Sequence, residues 1–251
     1  MTKSTDWKTA ARDYADKWLV RGDVSGVLVC GSYVTGKPSK RSDIDICVVL
    51  RKNAGWRARG NERGGGYLFE YFANPAVRVR RYFSEEYSGG EKCTAHMYAT
   101  GLVMGDKDGE LARLRREAAR WMKKKFKKPS KSFTELAKYQ LWDMLDSLED
   151  AYESGAADLP YLCHGSLASM FRLYSRFLGY GGMPPDKVLK ILRCGNGAAP
   201  FPDRGFAGLF LKAAGAGDDR ARMSAYRLLT RRVLAKMGGF NIDGWRLKSA
   251  A

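Results

Sequence analysis

Histidine is nearly missing from this chain of 251 residues, which has only His96 and His164. A histidine-built metal site or a Ser-His-Asp triad therefore has too few members to draw on. The five cysteines, Cys30, Cys47, Cys93, Cys163 and Cys194, are odd in number, scattered and without a Cys-x-x-Cys pair, so neither zinc nor dithiol chemistry is signalled. No apolar run is long enough to span a bilayer, and Met1 to Trp7 holds no apolar segment ahead of a small-residue cleavage site. The expectation is a cytoplasmic protein with reduced thiols and no membrane partner, in which any metal must be held by carboxylates. Internal repeats are absent as well.

Acidic residues are outnumbered by basic ones, 27 to 44, for a formal net charge of +17. Such a chain attracts polyanions, whether nucleic acid, nucleotide or an anionic surface, and the charge does not choose among them. Basic residues crowd Leu111 to Lys138 and again Arg220 to Lys236; each stretch reads either as a solvated helix face or as a polyanion groove. With 45% hydrophobic and 28% charged residues the chain is globular, and its length suits two modest domains better than one large one.

Along the chain, Ser4-Thr5-Asp6 ahead of Trp7, Ala10, Ala11, Tyr14, Ala15 and Leu19 has the spacing of a capped amphipathic helix. Val24 to Cys30 is a short β-branched apolar run that stops at Gly31-Ser32, and Asp43-Ile44-Asp45-Ile46 opens a second such run to Leu50. Gly55 to Gly66, rich in Gly and Arg, reads as a mobile connection to a third strand, Tyr67 to Phe72. Helical spacing then covers Val77 to Tyr87, Glu91 to Thr100 and Gly109 to Phe126, until Lys127-Lys128-Pro129-Ser130-Lys131 breaks it. Beyond that break, apolar residues at helical spacing predict a long helix over 133–152, followed by helices over 162–178, 185–192, 205–214 and 221–237. The predicted fold is α/β of the α+β kind: a small mixed sheet with flanking helices over residues 1–128, then an all-α helical bundle over 131–251.

Strand residues two apart share a face, so Asp43 and Asp45 project side by side while Ile44 and Ile46 enter the core. Two adjacent anions in an otherwise apolar strand ask for a cation, and magnesium joins carboxylates to substrate phosphates. Glu70 becomes the third acid if the strand Tyr67 to Phe72 lies beside the second.

Gly31-Ser32, ten residues, then Asp43-Ile44-Asp45-Ile46 resembles the two-part signature of polymerase-β-type nucleotidyltransferases, most strongly over residues 24–72. More loosely, the later helices are similar to the helical half of bacterial antibiotic nucleotidyltransferases. The resemblance implies that Gly31 and Ser32 bind a nucleoside triphosphate, with ATP the foremost donor. It implies further that Asp43 and Asp45 hold two magnesium ions and that Glu70 completes the site as metal ligand, general base or both. Lys138, with Tyr139 beside it, matches the general position from which related enzymes reach the triphosphate. The nucleotide-binding role of Gly31 and Ser32 also has a physical basis, since glycine lets backbone approach phosphates and N–H groups at a strand-to-helix turn can donate to them.

Gly31-Ser-Tyr-Val-Thr-Gly36-Lys37 also meets the first seven positions of a P-loop, but Pro38 stands where the magnesium-binding Ser or Thr is required. A strand follows instead of a helix, so the P-loop reading is set aside. The implied reaction is transfer of a nucleoside monophosphate to an acceptor hydroxyl with release of pyrophosphate. The acceptor is expected to be a small molecule such as an aminoglycoside-like compound. The alternatives are an RNA or tRNA 3′-end transferase, a protein-nucleotidylating toxin–antitoxin component, and a non-enzymatic nucleic-acid-binding module.

Overall fold

A computed structural model describes residues 6–36, 38–194 and 201–248. Ser4, Thr5 and Lys37, which entered the capping and P-loop readings, lie outside them. The chain divides into two units, Met1–Lys124 and Lys125–Ala251. As the apolar patterning predicts, the first is built on a mixed sheet and the second is helical.

Unit 1 begins with α1 (Trp7–Leu19), whose first turn is capped by Asp6 accepting from the Lys8 N–H and whose Ala10, Ala11, Tyr14 and Ala15 are buried. Then come β1 (Val24–Cys30), β2 (Ile44–Leu50), β3 (Ala58–Gly64), β4 (Tyr67–Pro75), α2 (Ala76–Gly89), α3 (Cys93–Thr100), β5 (Leu102–Asp106) and α4 (Glu110–Lys123). The strand order is β3-β4-β2-β1-β5, with β2 and β4 parallel and the other neighbours antiparallel. β1 and β2 are central and almost wholly buried, which is why they read as near-continuous apolar runs. Their side chains alternate. Val27, Val29, Ile44, Ile46 and Val48 join the residues of α1 in one core, while Leu28, Cys30, Cys47 and Val49 pack with residues of α2, α3 and α4 in another.

Two strands depart from the sequence expectation. The stretch read as a mobile connection contains β3, joined to β4 by a two-residue turn in which Gly65 and Gly66 have φ of 57° and 86°. Left-handed backbone at both positions is what a tight hairpin needs and glycine supplies without strain. β3 is an edge strand with mostly exposed side chains, including Arg59, Asn61, Glu62 and Arg63, a composition that discourages pairing with other chains. The other unforeseen strand is β5, five residues inserted between helices and paired to β1.

Unit 2 consists of α5 (Lys131–Glu153), α6 (Leu159–Phe177), α7 (Pro185–Cys194), α8 (Arg204–Ala214) and α9 (Asp219–Lys236) among the described residues. Its core is drawn from all five, with Leu141, Met170, Tyr174, Phe206, Tyr226 and Leu229 among the most deeply buried. Ser130 caps α5 by accepting from the Phe133 N–H. The Asp203 carboxylate caps α8 and also accepts from the Tyr174 hydroxyl and the Arg232 guanidinium. These donors hold its carboxyl at about 2 despite burial.

Candidate active site

One rung of the unit 1 sheet brings the sequence-singled residues together. Asp45 is paired with Cys30 on β1 and with Glu70 on β4, so the two carboxylates stand at the same level on adjacent parallel strands. Directly paired residues share a face of the sheet. Asp43 lies two residues earlier, on the approach to β2. The turn that follows β1 starts at Gly31, immediately after Cys30, and so lies at the Asp45 end of the sheet.

Burial pushes the Asp45 carboxyl up to about 6, and the neighbouring charges of Asp43 and then Glu70 push the same way, opposed by Arg59. A carboxyl buried beside other anions behaves in this manner. The Arg59 guanidinium donates to Glu70 Oε1 through Nε at 3.0 Å and Nη2 at 2.6 Å. It also lies 4.8 Å from the centre of the Phe72 ring, while its side chain remains 69% exposed. Among the described residues no three His, Cys, Asp or Glu side chains converge as a preformed metal cage. The donor chemistry of Asp43 and Asp45 fits a hard divalent cation, whereas Glu70 is engaged by an arginine.

Gly31 has φ of 78°, and a Cβ there would overlap Asp45 Oδ2 and come within 2.9 Å of its Cγ. The glycine is therefore what allows the carboxylate to lie against the turn. The Gly31 carbonyl accepts from the Thr35 N–H at 3.1 Å and from its hydroxyl at 3.2 Å. Residues 32–36 form turns, so the segment coils once within the stretch between the two strands. The Ser32 hydroxyl has no hydrogen-bond partner among the described residues. Beneath the rung, the Cys30 and Cys47 sulfurs lie 3.7 Å apart and buried, and this contact, together with burial, raises the Cys30 thiol far above its ordinary range. Cys30 is therefore not a reactive thiolate.

Lys138 and Tyr139 belong to α5 in unit 2. Lys138 is only 7% exposed, with its ammonium 2.9 Å from Glu135 Oε1. The Tyr139 ring stacks on Trp245 at 4.5 Å between centres. Both side chains thus have partners within their own unit. Arg59 was not foreseen, although Arg57, Arg59 and Arg63 recur at the even spacing of a strand.

Residues 9–91, which contain the turn and all three acids, match the family model described as a nucleotidyltransferase domain. A nucleotidyltransferase-like protein from Exiguobacterium sibiricum 255-15 has a similar crystal structure, with a TM-score of 0.52, 13% identity, and coverage of 92% of this chain and 75% of that one. At that identity the likeness is one of fold. No curated protein matches the chain. Residues 9–91 of unit 1 thus carry a nucleotidyltransferase domain of the polymerase-β type, and it is this domain that marks the protein as a nucleotidyltransferase. No described helix is long and apolar enough to cross a membrane.

Proposed function

We propose that unit 1 transfers a nucleoside monophosphate, AMP from ATP, to the hydroxyl of a small-molecule acceptor in a magnesium-dependent reaction that releases pyrophosphate. The observation that carries this reading is the rung: a glycine turn and two carboxylates abut on three adjacent strands, and Asp45 is pushed up by burial and by its acidic neighbours. Asp43 and Asp45 would hold the metal, and Glu70 joins them once it leaves Arg59. Magnesium bound there supplies positive charge for the phosphate oxygens and acidifies the acceptor hydroxyl.

The chain's own residues do the rest. Gly31 lets the turn close against Asp45, and the Ser32 hydroxyl donates to a phosphate oxygen. The acceptor oxygen bonds to the α-phosphorus, the bond from that phosphorus to the bridging oxygen breaks, and pyrophosphate departs with the electron pair. Glu70 takes the proton of the attacking hydroxyl.

A small acceptor is supported over RNA by the partners that several arginines of the basic stretches already have. On α4, Arg113 pairs with Glu110, and Arg115 donates to the carbonyls of Tyr98 and Gly101. On α9, Arg222 pairs with Asp219, Arg227 with Glu149 and Arg232 with Asp203. Arginines engaged in this way are poorly placed to track a phosphate backbone. The reading is tested with α-labelled ATP and magnesium, offered separately a panel of hydroxylated small molecules that includes aminoglycosides, and bulk tRNA. Label on a small molecule with equimolar pyrophosphate is the expected result. Label on tRNA instead would overturn the choice of acceptor, and no magnesium-dependent pyrophosphate with any acceptor would overturn the reaction.

Ser32→Ala is expected to weaken productive use of ATP by about tenfold, the worth of one hydrogen bond to a charged group, with an unchanged melting temperature. Unaltered kcat/KM for ATP would remove the hydroxyl from the mechanism. Lys138 and Tyr139 stay in the proposal as nucleotide-binding residues, and Lys138→Ala tests the stronger of the two. Weaker ATP binding at unchanged stability supports the role. Unchanged binding with a lowered melting temperature assigns Lys138 to its pair with Glu135.

A further inference from the structure

We infer that a cavity of about 600 Å³ in unit 1 is the acceptor subsite, and that it takes a small molecule carrying a planar ring and an anionic group. The inference rests on the transfer reading and names the acceptor class for it. Position comes first. Cys47, Phe72 and Asn74 line the cavity, and they continue the face that carries Asp45 and Glu70: Cys47 and Phe72 are paired across β2 and β4, two residues beyond the acidic rung. Gly31 and Ser32 lie at the opposite end of that rung, after the last residue of β1. A triphosphate at the turn and an acceptor in the cavity would therefore approach the acids from opposite directions along the strands. In-line displacement requires such an arrangement, with attacking and leaving oxygens on opposite sides of phosphorus. Arg59 connects the two regions, since it lines the cavity and grips Glu70.

Chemistry selects the occupant. Phe72, Tyr82 and Tyr98 contribute ring surface to the wall, suited to a flat apolar group. Two guanidiniums, Arg57 and Arg59, also line it. Arg57 reaches the Tyr82 hydroxyl at 3.3 Å, and among the described residues no carboxylate pairs with it. Among the described residues that line the cavity, Glu86 is the one carboxylate. Its Oε2 accepts from the Thr94 N–H at 2.7 Å and its Oε1 from the Thr94 hydroxyl, so it is committed to tying α3 to α2. A carboxylate or phosphate on the acceptor would find a guanidinium fork at Arg57. A polycationic acceptor would face two arginines with no acid free to receive it, which selects against aminoglycosides. The size suits a compact ligand, within the usual few hundred cubic ångströms of small-molecule sites.

Cys93 provides a readout independent of catalysis, because it lines the cavity and is exposed. The other exposed cysteine, Cys194, is removed as Cys194→Ser, and alkylation of Cys93 by iodoacetamide is timed in the full-length protein. The probes are 3-(4-hydroxyphenyl)propionate and tyramine, which share a phenol and differ in the sign of their charge, together with kanamycin. The carboxylate is expected to protect Cys93, and tyramine and kanamycin are not. Arg57→Ala, at an exposed position, should weaken that protection about tenfold by removing one charged hydrogen-bonding group. In the labelling assay the same variant should raise the KM of an acidic phenolic acceptor while leaving kcat nearly unchanged. Equal protection by tyramine, or indifference to Arg57→Ala, would overturn the inference. So would label on kanamycin or tRNA without protection of Cys93, and in that case the transfer reading would survive. Charge-selective protection without pyrophosphate release in any arm would uphold the ligand class and count against the transfer reading.

Discussion

Asp45→Asn is expected to lower the transfer rate by about 10³-fold, the scale of removing one fixed electrostatic group from a reacting centre, while raising the melting temperature. Both effects have one origin. In the metal-free protein Asp45 is a carboxylate in a partly buried place beside Asp43 and Glu70, and its carboxyl is lifted to about 6 from an ordinary 3.8. A folded value above the unfolded one means that the proton is held more tightly in the native state. The resulting stabilisation is fully present below about pH 4 and is lost as the pH rises through 6. Above that window the ionised group costs on the order of 1–2 kcal/mol once solvent screening is allowed for. Asparagine keeps the shape and discards the charge. The variant should therefore match the parent below about pH 4 and exceed it above pH 6, by about 2–4 °C in melting temperature for each kcal/mol. Asp43→Asn should lose activity similarly.

Magnesium supplies the complementary measurement. It should raise the melting temperature of the parent more at pH 8 than at pH 5, because protons and the cation compete for the same carboxylate, and it should do little for Asp45→Asn. A variant with near-parental turnover, or one that melts lower than the parent at pH 8, would contradict the proposed metal site.

What could be read from the sequence follows from which forces are local. The strands bearing Asp45 and Glu70, the first entered through Asp43, are apolar or aromatic runs bounded by glycine and polar turns, and burial in the sheet is written into those runs. The helices of unit 2 declared themselves through 3.6-residue spacing. β3 did not, because none of its residues is fully buried and its half-buried positions are Ala58, Gly60 and Gly64, too small to show an apolar alternation and, for the glycines, legible as loop. β5 was hidden for another reason: five residues after Gly101, only Leu102, Val103 and Met104 of them apolar, are too few to show a period between two helical segments. The partner of Glu70 was out of reach as a consequence, since Arg59 meets it across a pairing that needs β3 to exist. The same holds for Tyr139, whose stacking on Trp245 joins residues over a hundred positions apart. Side-chain identity named the acids, and only tertiary pairing says what each one touches.

Gly31→Ala should be the most damaging change that removes no functional group. At a φ of 78° any residue with a Cβ is strained, by about 1 kcal/mol for alanine, and here the added carbon would also overlap Asp45 Oδ2. The turn cannot recoil freely, because the Gly31 carbonyl is held by both the N–H and the hydroxyl of Thr35. Asp45 must therefore rotate away, and displacing a reacting group by about an ångström costs on the order of 10²-fold in rate. Gly36→Ala separates the two contributions. Gly36 has nearly the same φ, 77°, with nothing within 4 Å of where its Cβ would stand, so it incurs the backbone strain without touching an acid. Both variants are expected to melt a few degrees below the parent, and only Gly31→Ala should lose transfer activity and the magnesium-dependent rise in melting temperature. Equal activity losses in the two would trace the effect to general loosening of the loop. Full activity in Gly31→Ala would mean that the position of Asp45 against this turn is irrelevant to the reaction.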